Sequence, residues 1–168
     1  MAIIDSFEYM LLANEEDPDD YRPDSELAIV IDPGRDSEEV VRGLTVFKER
    51  IAPGDRIPLH VHTVDEVFFL DEGGVEATLG EERRRIAPGA VVFIPAGVPH
   101  GFANRSESVA LIHAVFPTPE ITIRYLERNP APGTEDRPPG PPLEFDVREL
   151  LEGDPSRAVR ILGDEEFA

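Results

Sequence analysis

Four residues in two short stretches have the types and spacing to do chemistry together. In "GDRIPLHVHTVDEVFFLDEG", Gly54 to Gly73, His60 and His62 stand one residue apart and Glu66 follows four residues after the second. In "GAVVFIPAGVPHGFAN", Gly89 to Asn104, His100 follows a Pro/Gly turn that opens a later strand. Residues i and i+2 of a strand share a face. His60 and His62 therefore point the same way, as two ligands of one ion must. Glu66 has the same parity, and "TVD" leaves room for a turn or bulge before the strand resumes. A single histidine on a strand is more often an ordinary polar residue than a ligand. Glu66 is harder to dismiss, because a carboxylate facing an apolar interior is costly unless it is paired or bound to metal. Three imidazoles and one carboxylate form a mixed N/O donor set suited to one divalent transition ion: Fe, Mn, Ni, Co, Cu or Zn. Such a centre carries net charge of about +1 and would attract an anionic ligand or polarise an oxygen. Glu66 could also act as a catalytic base, taking a hydroxyl proton.

Those side chains need rigid elements to hold them. From Val40 onward, apolar runs of four to eight residues alternate with Gly/Pro turns: "GLTVFKERI", "APGD", "VFFL", "DEGG", "VEATL", "AVVFI", "PAGVP", "VALIHAVF". Strands at this spacing predict an all-β sandwich or barrel. "APGD" and "APGA", at 52–55 and 87–90, predict two equivalent tight turns entering strands. In "EVFFL", Glu66, Phe68 and Leu70 share one face and Val67 and Phe69 the other. Both faces are apolar, so one should line a barrel and the other should be covered by a second sheet, a terminal segment or a partner subunit.

The flanks differ from this middle. The chain of 168 residues has a net charge of −19, and residues 1–39 carry thirteen acids against two bases. Residues 40–125 come to −2 and residues 126–168 to −6. Acidic flanks of this kind read as solvated surface and repel nucleic acid and anionic membrane, so neither is an expected partner. With no cysteine, disulfides and thiolate metal sites are excluded. The opening "MAIIDSFEYMLLA" lacks the basic region of a signal peptide, and no apolar run reaches membrane length, which fits a cytoplasmic protein. "NEEDPDDYRPDSE" (14–26) reads as loop, "LAIVI" (27–31) as a β-rich run and "DPGRDSEE" (32–39) as turn. "PTPEITIRYLERN" fits a strand or short helix. "PAPGTEDRPPGPP" (130–142), with six prolines, reads as an extended linker. Helical turns are expected on each side of the Gly153–Pro155 break, with Asp146 as N-cap of "FDVRELL". The chain thus divides into an acidic N-terminal segment (1–39), a barrel (40–118), and a C-terminal strand, Pro-rich linker and short helical tail (119–168).

The two stretches resemble the paired motifs of the cupin family. The first motif, G-x5-H-x-H-x3-E-x6-G, is matched by Gly54, His60, His62, Glu66 and Gly73. The second, G-x5-P-x-G-x2-H-x3-N, is matched by Gly89, Pro95, Gly97, His100 and Asn104. The fifteen intervening residues give the short spacing of small, mostly bacterial members. The resemblance covers residues 40–118. It implies a double-stranded β-helix, or jelly-roll barrel, with a metal inside held by His60, His62, Glu66 and His100. The glycines, Pro95 and Asn104 match structural positions. The family's thiol dioxygenases generally lack the motif glutamate, so Glu66 argues against that branch.

Phe68, Phe93, Phe102 and Phe116 are candidates for the apolar wall of a substrate pocket, although phenylalanines are more often simply core. His113, in "VALIHAVF" with Leu111 and Val115 on its face, is either a satisfied barrel histidine or one on the outer face, or else a pocket-lining proton shuttle. Arg83–Arg85, after Glu81 and Glu82, read as a solvated hairpin. Three functions remain open: an oxygen-dependent dioxygenase acting on a small enol, carbonyl or phenolic molecule, a sugar or sugar-phosphate isomerase, and a non-catalytic small-molecule binder or sensor. Lys48 is the one lysine, which weakens the phosphosugar reading. A homodimer is expected from the doubly apolar "EVFFL" and from the resemblance to dimeric small cupins.

Overall fold

A computed structural model describes residues 4–13, 19–31, 43–151 and 157–167. The predicted turn at 32–39 and the Gly153–Pro155 break lie outside the described residues, as does part of the predicted loop at 14–26. Among the described residues, thirteen strands form two antiparallel sheets. The first contains, in spatial order, β1 (Met10–Leu12), β2 (Arg22–Ile31), β3 (Thr45–Ile51), β10 (Ala110–Phe116), β5 (Glu66–Glu72) and β8 (Val91–Ile94). The second runs β13 (Val159–Ile161), β12 (Leu143–Asp146), β11 (Glu120–Tyr125), β4 (Arg56–Val61), β9 (His100–Ala103), β6 (Val75–Leu79) and β7 (Glu82–Ile86). This is the jelly-roll architecture expected from the sequence.

The two predicted turns are equivalent in the structure. The amide of Asp55 donates to the Ala52 carbonyl and that of Ala90 to the Ala87 carbonyl, both at 3.1 Å. Gly54 and Gly89 take φ of 90° and 87° at the third position, a conformation that a residue with a Cβ rarely adopts. Alternation along the strands then fills the space between the sheets. Ile51, Phe68, Leu70, Ile94, Phe102 and Ile112 belong to one buried cluster. Phe68 of β5 and Phe102 of β9 stack across the gap, with ring centroids 3.7 Å apart.

The flanks are built into the sheets. β1 and β2 extend the first sheet beyond β3, so the predicted loop at 14–26 is already strand from Arg22. β11, β12 and β13 extend the second sheet beyond β4. The boundaries at residues 39 and 118 therefore divide one continuous pair of sheets. The helical tail is partly corrected. Helix α1 (Val147–Leu151) forms as expected, and the Arg148 amide donates to the N-cap Asp146 Oδ1 at 3.0 Å. The residues after the break form β13, because "VRI" can pair with β12 while three residues are too few to nucleate a helix.

Not all the acidity is solvated. Asp19 is buried, pairs with Arg128 and accepts the Gly140 amide at 2.6 Å, which ties the N-terminal segment to the Pro-rich linker. Asp20 pairs with the buried Arg22. Arg83–Arg85 lie on the exposed edge strand β7, where charge suits a strand with an open side.

Candidate metal centre

His60 lies near the end of β4 and pairs across the sheet with His100, which opens β9. His62 comes just after β4. The chain then bends at Thr63 and Val64 and crosses to the other sheet, where Glu66 opens β5. Glu66 thus reaches the site from the sheet opposite His60 and His100. The expected turn is present, and it accomplishes this crossing.

All four side chains are buried, and one ligand atom from each lies within 4.8 Å of the others. Their hydrogen bonds fix the imidazole tautomers. Nδ1 of His60 donates to the Pro58 carbonyl at 2.7 Å, Nδ1 of His100 to the Val98 carbonyl at 2.8 Å, and Nδ1 of His62 to the Thr122 carbonyl. A neutral imidazole that donates from Nδ1 has only a lone pair at Nε2. The three Nε2 atoms therefore present lone pairs to a common centre. Nε2 of His60 and Nε2 of His62 are 3.1 Å apart, a contact that two lone pairs make repulsive and a cation between them makes favourable. Nε2 of His100 stands 3.0 Å from Glu66 Oε2, yet neither atom has a hydrogen-bond partner among the described residues. A bound cation would satisfy both orphaned atoms.

The electrostatics agree. Burial holds His60 well below the usual imidazole range, with His100, His62 and Arg22 adding to the shift. Burial also lowers His62, against the opposing pull of Glu66. Both rings are thereby kept in the neutral form that binds metal. The side chain of Thr122 supports the bend by accepting the Thr63 amide at 3.0 Å and contacting the Thr63 hydroxyl at 2.7 Å. The arrangement could hold a divalent ion with four protein donors, which would leave positions for a ligand on a six-coordinate ion.

The cupin domain model matches residues 47–116. This is a small cupin-domain protein. An uncharacterized protein of Streptomyces coelicolor is 42% identical over 59 residues, covering 35% of this chain and 55% of its own length. The quercetin 2,3-dioxygenase of Bacillus subtilis is 41% identical over 61 residues, covering 35% of this chain and 18% of that enzyme. The cupin chain therefore spans about half, or less, of the curated relatives it matches. A crystal structure described as a sugar phosphate isomerase of the cupin superfamily, from Silicibacter pomeroyi, superposes with a TM-score of 0.61 at 19% identity. That superposition covers 98% of this chain and 93% of the other, and it shows shared fold.

His60, His62 and Glu66 of this cupin line a cavity of about 300 Å³. Phe68 and Phe102 line it, together with Phe116, whose ring meets the His62 ring edge-on at 5.1 Å. Phe93 and His113 do not reach it. On β8 the inward positions are Val92 and Ile94, which turns Phe93 outward with 62% exposure. On β10 the inward positions are Ala110, Ile112, Ala114 and Phe116. His113 therefore lies on the outer face, where it stacks on Phe69 at 4.4 Å and contacts Asp71 Oδ2 at 3.0 Å. The pocket-wall role of Phe93 and the shuttle role of His113 are both corrected by this strand parity. Arg56 and Arg124 are bound elsewhere, to Glu127 and Asp164.

Three charged residues enter the cavity lining unannounced: Asp20, Arg22 and Glu49. Glu49 was within reach of the sequence, since "TVFKERI" places it on the same face as Phe47 and Ile51. Arg22 carried no signal, standing in a stretch that reads as loop. Met10 and Leu11 from the N-terminal flank, with Phe145 and Leu150 from the C-terminal one, complete the wall.

Proposed function

We propose that this cupin binds one divalent transition ion through His60, His62, Glu66 and His100 and acts as an oxygen-dependent dioxygenase on a small enol, carbonyl or phenolic compound. The observation that carries the reading is a four-donor tetrad, with Glu66 Oε2 unpartnered, three of whose members line a largely apolar cavity. The local match to a quercetin 2,3-dioxygenase lends it support. A bound ion would supply Lewis acidity and a template for substrate and dioxygen. The chain's own residues exclude water and orient the substrate. Phe68, Phe102 and Phe116 offer apolar faces to a flat molecule. Glu66 Oε2 stands where a hydroxyl proton can be taken up. The cavity lies at the lower end of ligand-site volumes, of order 300–1,000 Å³, which suits a compound of two or three rings. A homodimer formed over the outer face of β5 and β8 belongs to the same proposal, supported by exposed Val91 and Phe93 beside half-buried Val67 and Phe69.

The test is oxygen uptake by protein reconstituted separately with Fe, Mn, Ni, Co and Cu, against flavonols, β-diketones and catechols. Uptake above free metal by one form, lost in Glu66→Gln with some metal retained, is the expected result. No uptake by any form, with a sugar phosphate raising the melting temperature instead, would replace the dioxygenase with the isomerase or sensor reading.

A further inference from the structure

Asp20, Arg22 and Glu49 form a buried ionic group in the wall of the same cavity. Arg22 Nε donates to Asp20 Oδ1 at 2.7 Å and Nη2 to Asp20 Oδ2 at 2.6 Å, while Nη1 donates to Glu49 Oε1. The guanidinium is therefore committed to two carboxylates and does not offer a free positive charge. Glu49 is only 7% exposed. Among the described residues its one hydrogen bond is the one from Arg22 to Oε1, which leaves Oε2 available on the cavity side. A carboxylate oxygen in a largely apolar wall keeps an acceptor site open to a polar group that occupies the cavity.

The position of Glu49 sets the shape of what could do so. Glu49 faces Ile112 across β3 and β10, and Ile112 faces Leu70 across β10 and β5. Glu49 and Glu66 therefore stand on strands two apart in one sheet and line the same cavity, so a ring system held at the metal can present a second hydroxyl to Glu49.

The geometry points to Glu49, oriented by Arg22, as a substrate-specificity residue that hydrogen-bonds a ring hydroxyl remote from the metal, so that the cavity selects neutral polyhydroxylated aromatic compounds over phosphorylated ones. A hydroxyl suits this position in either state of Glu49, donating to a carboxylate or accepting from a carboxyl. A phosphate dianion meets two carboxylates and an already paired arginine, and is repelled. Burial, partly opposed by Arg22, raises the Glu49 carboxyl above its ordinary range, which adds to its suitability as a partner for an uncharged group. The inference rests on the reading of the cavity as a substrate site beside a metal, and it deepens that reading by naming the substrate class.

The experiment measures binding, using zinc-loaded protein so that no turnover intervenes. Three probes are titrated calorimetrically: quercetin, 3-hydroxyflavone, which lacks the additional ring hydroxyls, and glucose 6-phosphate. Wild type should bind quercetin at least about tenfold more tightly than 3-hydroxyflavone, and glucose 6-phosphate more weakly than either. Glu49→Met nearly preserves volume and leaves Arg22 paired with Asp20. It should keep the zinc content and the 3-hydroxyflavone affinity while abolishing the preference for quercetin, and Glu49→Gln should restore part of it. Equal affinities for the two flavonols in wild type, an unchanged preference in Glu49→Met, or tightest binding of the sugar phosphate would each overturn the inference. The wild-type comparison needs no variant, so a folding defect in Glu49→Met does not rescue it. Oxygen uptake separates this inference from the dioxygenase proposal. A Glu49-dependent preference without uptake supports this assignment and sinks the dioxygenase, whereas uptake with the preference intact in Glu49→Met does the reverse.

Discussion

Replacing Arg22 by Met should strongly destabilise the protein. The side chain is 4% exposed, and its partners Asp20 and Glu49 are 11% and 9% exposed. Burial works against the arginine's charge, and Glu49 and Asp20 more than offset it, so the guanidinium stays ionised. Removing it leaves two carboxylates in an apolar wall with no counter-charge. Breaking a buried pair in this way costs about 3–5 kcal/mol. At roughly 2–4 °C per kcal/mol for a chain of this size, the melting temperature should fall by about 6–20 °C. Glu49→Met should cost much less, because Arg22 keeps both hydrogen bonds to Asp20. The double variant should cost less than the sum of the two, since no carboxylate then remains at position 49 to be stranded. The pH dependence has a definite sign. Burial raises the Glu49 carboxyl, and loss of Arg22 removes its main opposing influence. A carboxyl raised in the folded state contributes stability that is fully present below its unfolded value and is lost as pH rises through the folded value. The deficit of Arg22→Met should therefore shrink as pH falls towards about 4.5. Calorimetric melts of the four proteins between pH 5 and pH 8 supply the data. An Arg22→Met melting temperature within about 2 °C of wild type, or a deficit that grows on acidification, would refute the reasoning.

Three further outcomes follow from the site and core. His62→Ala should lose most bound metal by elemental analysis while His113→Ala retains it, since of these two only His62 aims Nε2 at the common centre. Metal-free protein should lose stability as pH falls below about 6.5, because burial depresses His60 and His62 and the unfolded chain takes up protons first; melts of wild type and His60→Gln should show a shallower acid limb in the variant. Phe68→Ala should cost about 3–5 kcal/mol in urea unfolding, by deleting one ring of a stacked pair that spans the two sheets.

The tetrad was legible because strand parity and motif spacing both act on neighbouring residues. His60 and His62 share a face whatever the tertiary structure does. The crossing of Glu66 to the first sheet was not legible, since a bend of three residues can equally return the chain to the same sheet. Phe93 was misjudged for a related reason. "AVVFI" is apolar at every position, so its period is silent about which side faces in. Glu49 could have been found by the logic applied to Glu66, a charged residue on an apolar face. Arg22 could not, because its burial depends on β2 joining a sheet whose next strand begins more than twenty residues later. The strand after the helix escaped notice because three residues carry too little periodicity to tell a strand from a helical turn.

The knot at Asp19 has a consequence for the order in which the chain assembles. Arg128 and Gly140, which bind its side chain, lie 109 and 121 residues away along the sequence. Hairpins such as β6–β7 close loops of a few residues and can form early, whereas closing so long a loop gains nothing until the strands between are in place. The Asp19 contacts therefore belong to the last stage of folding. They form only once the first and last thirds of the polypeptide meet. Residues through Leu150 must have left the ribosome before the cavity wall built from Met10, Leu11, Phe145 and Leu150 can be finished. Until then the apolar interior stays open to water, and that interval is when the nascent protein is most exposed to aggregation.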